Sequence, residues 1–167
     1  MALSRWLMAL VLLQVLPVWA QGAEFSWKPG DAPPPVAGIH LGDGRVRLEA
    51  VLGRPSGTEK LGKDVLALTY RHRGVQVLYA PLDGAAIIYL LTRTAGDVGG
   101  IRLGDTRQQV LARWGDPPAV SGPMAIYRAG DWGAFVKLGE DDKVKQLGIG
   151  RITDQAPEGA KFYHKTD

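Results

Sequence analysis

The chain has 167 residues, 46% of them hydrophobic and 22% charged, with a net charge of +3. That is ordinary for one globular domain, and so small a surplus, evenly mixed with acids, gives no footing for a nucleic-acid partner. The absence of cysteine excludes a disulfide framework, a thiolate metal site and a lipidated-cysteine anchor.

Met1–Ala20 reads as a cleavable secretory signal peptide. Arg5 supplies a positive start, Trp6–Leu13 is an unbroken apolar run continued by Val15–Val18, and Val18-Trp19-Ala20 ends on a small residue. The apolar stretch is about 15 residues, short of the roughly 20 that a membrane span needs, and Gln14 and Pro17 interrupt it. The expectation is a periplasmic protein with no transmembrane span after cleavage. Residues 21–37 follow as a Pro-rich linker. Pro33-Pro34-Pro35 favours polyproline II and Gly30-Asp31 a turn, so a partly mobile arm is expected, with Phe25 and Trp27 able to tuck back onto the domain.

The core of the chain is written twice. Gly38–Pro55 (GIHLGDGRVRLEAVLGRP) and Gly100–Pro117 (GIRLGDTRQQVLARWGDP) share nine identities in 18 positions at a constant offset of 62, the mark of an internal repeat. Each copy reads as a short helix. Asp43 and Asp105 are the expected N-caps, with Gln108 as capping-box partner in the second. Leu48, Val51 and Leu52, and then Val110, Leu111 and Trp114, form the apolar faces. Gly115 and Pro117 stop the second helix.

After the first helix, Ser56–Lys63 reads as a polar loop, and Val65–Tyr70, Val75–Ala80 and Ala86–Thr92 as strands. After the second, Ala119–Pro123 reads as a loop, and Met124–Arg128, Ala134–Leu138 and Val144–Ile149 as strands. The expected fold is α+β. It comprises two repeats (38–99 and 100–152) of a short helix plus a three-stranded antiparallel meander, forming one roughly six-stranded sheet or two abutting half-sheets. Residues 153–167 are a polar tail.

The order G-I-x-L-G-D, a short amphipathic helix, G-x-P, a loop, Y-R and strands ending in a D-D-K-V turn resembles the BamE/SmpA/OmlA outer-membrane-assembly family. It also resembles the wider β-lactamase-inhibitor-protein-like (BLIP-like) fold built from two such units. The resemblance covers about Gly38–Ile152 and implies an exported, non-enzymatic protein that works by binding another envelope protein.

The chemistry of catalysis is not evident in the sequence. Ser4, Ser26, Ser56 and Ser121 lie in no nucleophile elbow. His40, His72 and His164 have no metal-ligand spacing. Glu140-Asp141-Asp142 reads as a solvated turn, and Asp105 puts a carboxylate where an anion bound at Gly100–Gly104 would sit. No catalytic, cofactor or metal residue is assigned. Two hairpin tips remain for protein binding. Trp132 beside Asp131, in the turn 129–133, is the expected exposed anchor. Arg71, His72 and Arg73 on the matching tip would steer an acidic partner. The alternative is a small-ligand binder or enzyme whose site unites carboxylates or histidines between the two repeats.

Overall fold

The computed structural model describes Trp27 and residues 31–117, 119–121 and 123–152. The segment 1–20 expected to be a signal peptide, Phe25 and the tail at 153–167 lie outside the described residues. Helix α1 is Arg45–Leu52 and α2 is Arg107–Trp114. The strands are β1 Gly57–Lys60, β2 Leu66–Tyr70, β3 Val75–Ala80, β4 Gly84–Leu90, β5 Ala119–Ser121, β6 Met124–Ala129, β7 Trp132–Leu138 and β8 Val144–Arg151. Together they form one antiparallel α+β sheet of eight strands in the order β1-β2-β3-β4-β8-β7-β6-β5. The seam is β4 against β8, from Ile87 opposite Gly150 to Leu90 opposite Leu147. Among the described residues no helix is long and apolar enough to cross a membrane.

The sheet has eight strands, not six, because both segments expected to be loops pair as edges. Every residue of β1 is exposed, and β5 is only three residues long. Neither carries the alternation that marks a strand half-buried in a core; each is defined by its neighbour's free N–H and C=O groups.

Helices α1 and α2 cover one face of the sheet. Leu48, Leu52, Val110 and Trp114 pack there with Leu68, Tyr70, Val77, Ile88, Tyr127, Trp132, Leu147 and Ile149. On the other face Tyr89, Met124 and Phe135 form a second cluster with Leu78, Ile87 and Ile126, to which neither helix contributes. Phe135 lies across β8 where a side chain would collide: a Cβ on Gly148 would stand 2.5 Å from the Ile88 carbonyl oxygen and 2.7 Å from the Phe135 ring. The close approach of ring and backbone is what glycine permits here.

The caps differ from the expectation. Thr106, not Asp105, is the N-cap of α2: its hydroxyl accepts from Gln109 N at 3.3 Å, and Gln109 Oε1 accepts from Thr106 N at 2.8 Å, a reciprocal capping box. The N-cap of α1 is Gly44, which has no side chain to bond. Both aspartates turn backward instead. Asp43 Oδ2 accepts from His40 N at 2.8 Å and Asp105 Oδ2 from Arg102 N at 2.9 Å. Each closes the turn ahead of its helix, a local bond that competes with capping. Their main-chain oxygens pin that turn to the sheet, Asp43 O accepting from Ala85 N at 2.9 Å and Asp105 O from Val144 N at 2.8 Å.

Candidate functional site

The basic residues expected on a hairpin tip form a built corner. β2 ends at Tyr70 and the chain makes one 3₁₀ turn, Arg71–Arg73, before Gly74 takes the left-handed conformation at φ 64°. A Cβ there would run into the Thr92 hydroxyl, so the turn packs directly against residues 92–95. Arg71 N donates to Ser56 Oγ at 3.0 Å, and Leu91 N to Gly74 O at 2.7 Å. The His72 Nε2 atom lies 2.7 Å from Leu52 O. A carbonyl only accepts, so Nε2 carries the proton, and the ring holds the last turn of α1, where a donor also suits the helix dipole.

Arg71, His72 and Arg73 thereby line an open depression of about 390 Å³ with Ala37, Gly74, Thr92, Thr94 and Ala95. No carboxylate belongs to that lining, and among the described residues neither Arg71 nor Arg73 is in an ion pair. The Thr92 and Thr94 hydroxyls stand 3.2 Å apart on its wall.

The structure does not bring the second expected tip to this place. The pairings Tyr70–Val75, Val75–Leu90 and Leu90–Leu147 put Arg71–Arg73 at one end of the strands. The pairings Gly133–Gly150, Trp132–Arg151 and Ala129–Trp132 put Gly130-Asp131 at the other. Counting strand spacings and rise, the two turns are roughly 25 Å apart. Asp131 is exposed, but Trp132 is a core residue, 2% exposed. It opens β7 with the same inward parity as Ala134 and Val136, and its Nε1 donates to Asp31 O at 2.8 Å. The reading of Trp132 as an exposed anchor is therefore corrected: the turn ends at Asp131, two residues earlier than expected.

A second, shallower depression of about 650 Å³ runs beside α2, lined by Gly99, Gly100, Ile101, Asp105, Gln109, Ala112 and Arg113. Its carboxylate is already engaged: Asp105 Oδ1 lies 3.0 Å from Arg93 Nη2, and Oδ2 takes the Arg102 bond. Among the described residues no group of three His, Asp or Glu side chains is placed to hold a metal ion. The perturbed titrations belong mostly to buried tyrosines. Burial, with Asp116 adding, pushes the Tyr127 phenol up to about 12, and burial raises Tyr70 and Tyr89 as well. Tyr127 donates to Gly115 O at 3.0 Å, holding the end of α2. On the exposed 140–145 turn, the Lys145 ammonium at 2.9 Å holds the Asp141 carboxyl below its ordinary range.

No family model matches the chain and no curated protein matches it. Solved structures do. A cysteine-rich secretory protein of Staphylococcus aureus superposes with a TM-score of 0.58 at 14% identity, over 77% of this chain and 49% of that one. A DUF4309 family protein of Bacillus subtilis gives 0.51 at 13% identity, over 72% and 88%. An SCP-domain extracellular protein of Bacillus anthracis gives 0.48 at 12%, over 72% and 47%. The chain thus spans about half the length of the staphylococcal and anthrax proteins. At such identities the likeness is one of fold alone.

The staphylococcal and Bacillus subtilis neighbours correct the resemblance drawn from the sequence. They are neither BamE/SmpA/OmlA proteins nor BLIP-like ones. The G-I-x-L-G-D and G-x-P motifs that carried the resemblance encode turns and a helix stop, as the Asp43 and Asp105 bonds show, and such punctuation recurs in unrelated folds.

Proposed function

We propose that this is an exported protein-binding module, not an enzyme, that takes an acidic segment of another envelope protein at the depression lined by Arg71, His72 and Arg73. One observation carries the reading: Arg71, His72 and Arg73 gather on a corner held by the Arg71–Ser56, His72–Leu52 and Leu91–Gly74 bonds, and no acid among the described residues lines the depression. A basic recess without internal neutralisation favours an anionic partner, chiefly through association rate. Export rests on the sequence of residues 1–20, and the periplasm is the compartment that the signal peptide suggests.

The same reading takes the two halves as copies of one unit, a helix with a four-strand meander in place of the three expected. The paired bridges Val36–Ile39 and Val98–Ile101, at the offset of 62, support this. Divergence of the basic corner from its counterpart at Gly130-Asp131 then marks the part of the scaffold given over to recognition.

The test is capture of partners from envelope extract on immobilised protein. The wild type should retain a stoichiometric partner that is released by salt, and Arg71→Glu/Arg73→Glu should lose it at unchanged melting temperature. Equal capture by both proteins would sink the assignment of this corner.

A further inference from the structure

Five tryptophans occur in the chain. Trp6 and Trp19 precede the expected cleavage point, and the remaining three, Trp27, Trp114 and Trp132, form a single stack. The Trp27 ring centroid lies 5.1 Å from that of Trp114 and 5.1 Å from that of Trp132, tilted by 50° and 51°. The separations and tilts are those of favourable aromatic pairs.

The walls of this site are fixed without Trp27. Trp114 stands on α2, where its Nε1 donates to Gly99 O at 3.1 Å and Tyr127 meets it edge-on at 5.0 Å. Trp132 stands on β7 in the core. The floor is Gly99, at φ +53°. A Cβ there would occupy the space of the Trp27 six-membered ring and stand 3.1 Å from Trp114 Nε1. The missing side chain leaves a slot of indole shape. Its occupant, by contrast, comes from outside the sheet. Trp27 belongs to no described helix or strand, and Asp31, Ala32 and Pro35 beyond it are exposed. Trp132 Nε1 ties the arm to the wall through Asp31 O.

We propose that the slot between Trp114 and Trp132 over Gly99 is an indole-binding seat. The chain's own arm fills it in cis through Trp27, and it accepts a tryptophan side chain supplied in trans once Trp27 is withdrawn. The ligand class is a tryptophan side chain on a peptide segment, since the seat already holds such a residue of the chain itself. This site is separate from the basic corner and does not depend on it.

The test uses Trp27→Ala in the otherwise whole chain, with N-acetyl-tryptophanamide as probe and N-acetyl-leucinamide as control. Titration calorimetry should give a saturable single-site isotherm with the variant and none with the wild type, whose seat is full. At ten times the dissociation constant, the tryptophan probe should raise the melting temperature of the variant by about 3 °C or more, by mass action on the folded state. If the variant is largely unfolded, the same linkage must raise its folded fraction, read by far-ultraviolet circular dichroism. No saturable response to the tryptophan probe, an equal response to leucinamide, or an equal response by the wild type would each overturn the proposal.

Discussion

Asp105→Ala should destabilise the protein by about 2 kcal/mol, and the reason lies in the turn and not in the helix. Asp105 is 7% exposed. Its carboxylate serves two donors, Arg102 N at 2.9 Å and Arg93 Nη2 at 3.0 Å. Alanine strands the part-buried Arg102 N–H, and an unsatisfied donor of that kind costs about 1–3 kcal/mol. The ion pair adds less, because the Arg93 side chain is 57% exposed and solvent-screened pairs contribute about 1 kcal/mol at most. Arg93→Ala should therefore cost below about 1 kcal/mol even though it also loses the bond from Nη1 to Leu103 O at 2.8 Å. Thr106→Ala, which removes the true cap, should cost about 1 kcal/mol. Asp43→Ala, which loses the bond from His40 N and the exposed contact with His40 Nδ1 at 3.9 Å, should also cost about 1 kcal/mol. Urea unfolding followed by circular dichroism, with the slope unchanged, reads all four. A silent Asp105→Ala would refute the turn-closing role, and Arg93→Ala as costly as Asp105→Ala would show the ion pair to be the larger part.

Two further outcomes follow from the core. Trp132→Ala should cost about 3–5 kcal/mol, as large-to-small changes at buried aromatics do; a melting temperature near that of the wild type would mean that Trp132 is at the surface after all. The tyrosines set the alkaline limit. The Tyr127 phenol stands at about 12 against an ordinary 10.0, with Tyr70 and Tyr89 raised too. Folding thus favours the neutral phenols, and that stabilisation is whole below pH 10 and fades as pH rises through about 12. Phenolate absorbance should lag behind that of free tyrosine until the sheet unfolds; a full rise near pH 10 with the circular dichroism still native would contradict the burial.

The helices and six of the strands were legible because Leu48, Leu52, Val110 and Trp114 fall at helical spacing and the strands are β-branched and aromatic runs bounded by turns. Val75–Ala80 matches residue for residue, and α1 and α2 begin two residues after the aspartates expected to cap them. Asp105 was misread because a carboxylate ahead of a helix has two local uses, capping forward or closing the turn behind. The adjacent Thr106 with Gln109 settles the competition in favour of the second. Trp132 was misread although the signal was there: it shares parity with Ala134 and Val136, so a strand starting at 132 turns it inward. The edge strands β1 and β5 left no pattern to read, and neither did the seat of Trp27, whose walls lie far along the chain at Trp114 and Trp132. The basic corner was visible as a composition, but its separation from Asp131 depends on the β4–β8 seam, which no local pattern encodes.

The claim that matters most is that a partner docks on the corner of Arg71, His72 and Arg73. It is tested most directly by placing a photo-cross-linking amino acid at position 73 or, as control, at position 131 at the far end of the sheet, and irradiating whole cells that make the protein. The account predicts a discrete adduct with a partner protein from position 73, abolished by Arg71→Glu and by high salt, and none from position 131. Adducts of equal yield from both positions, or from position 131 alone, would contradict it.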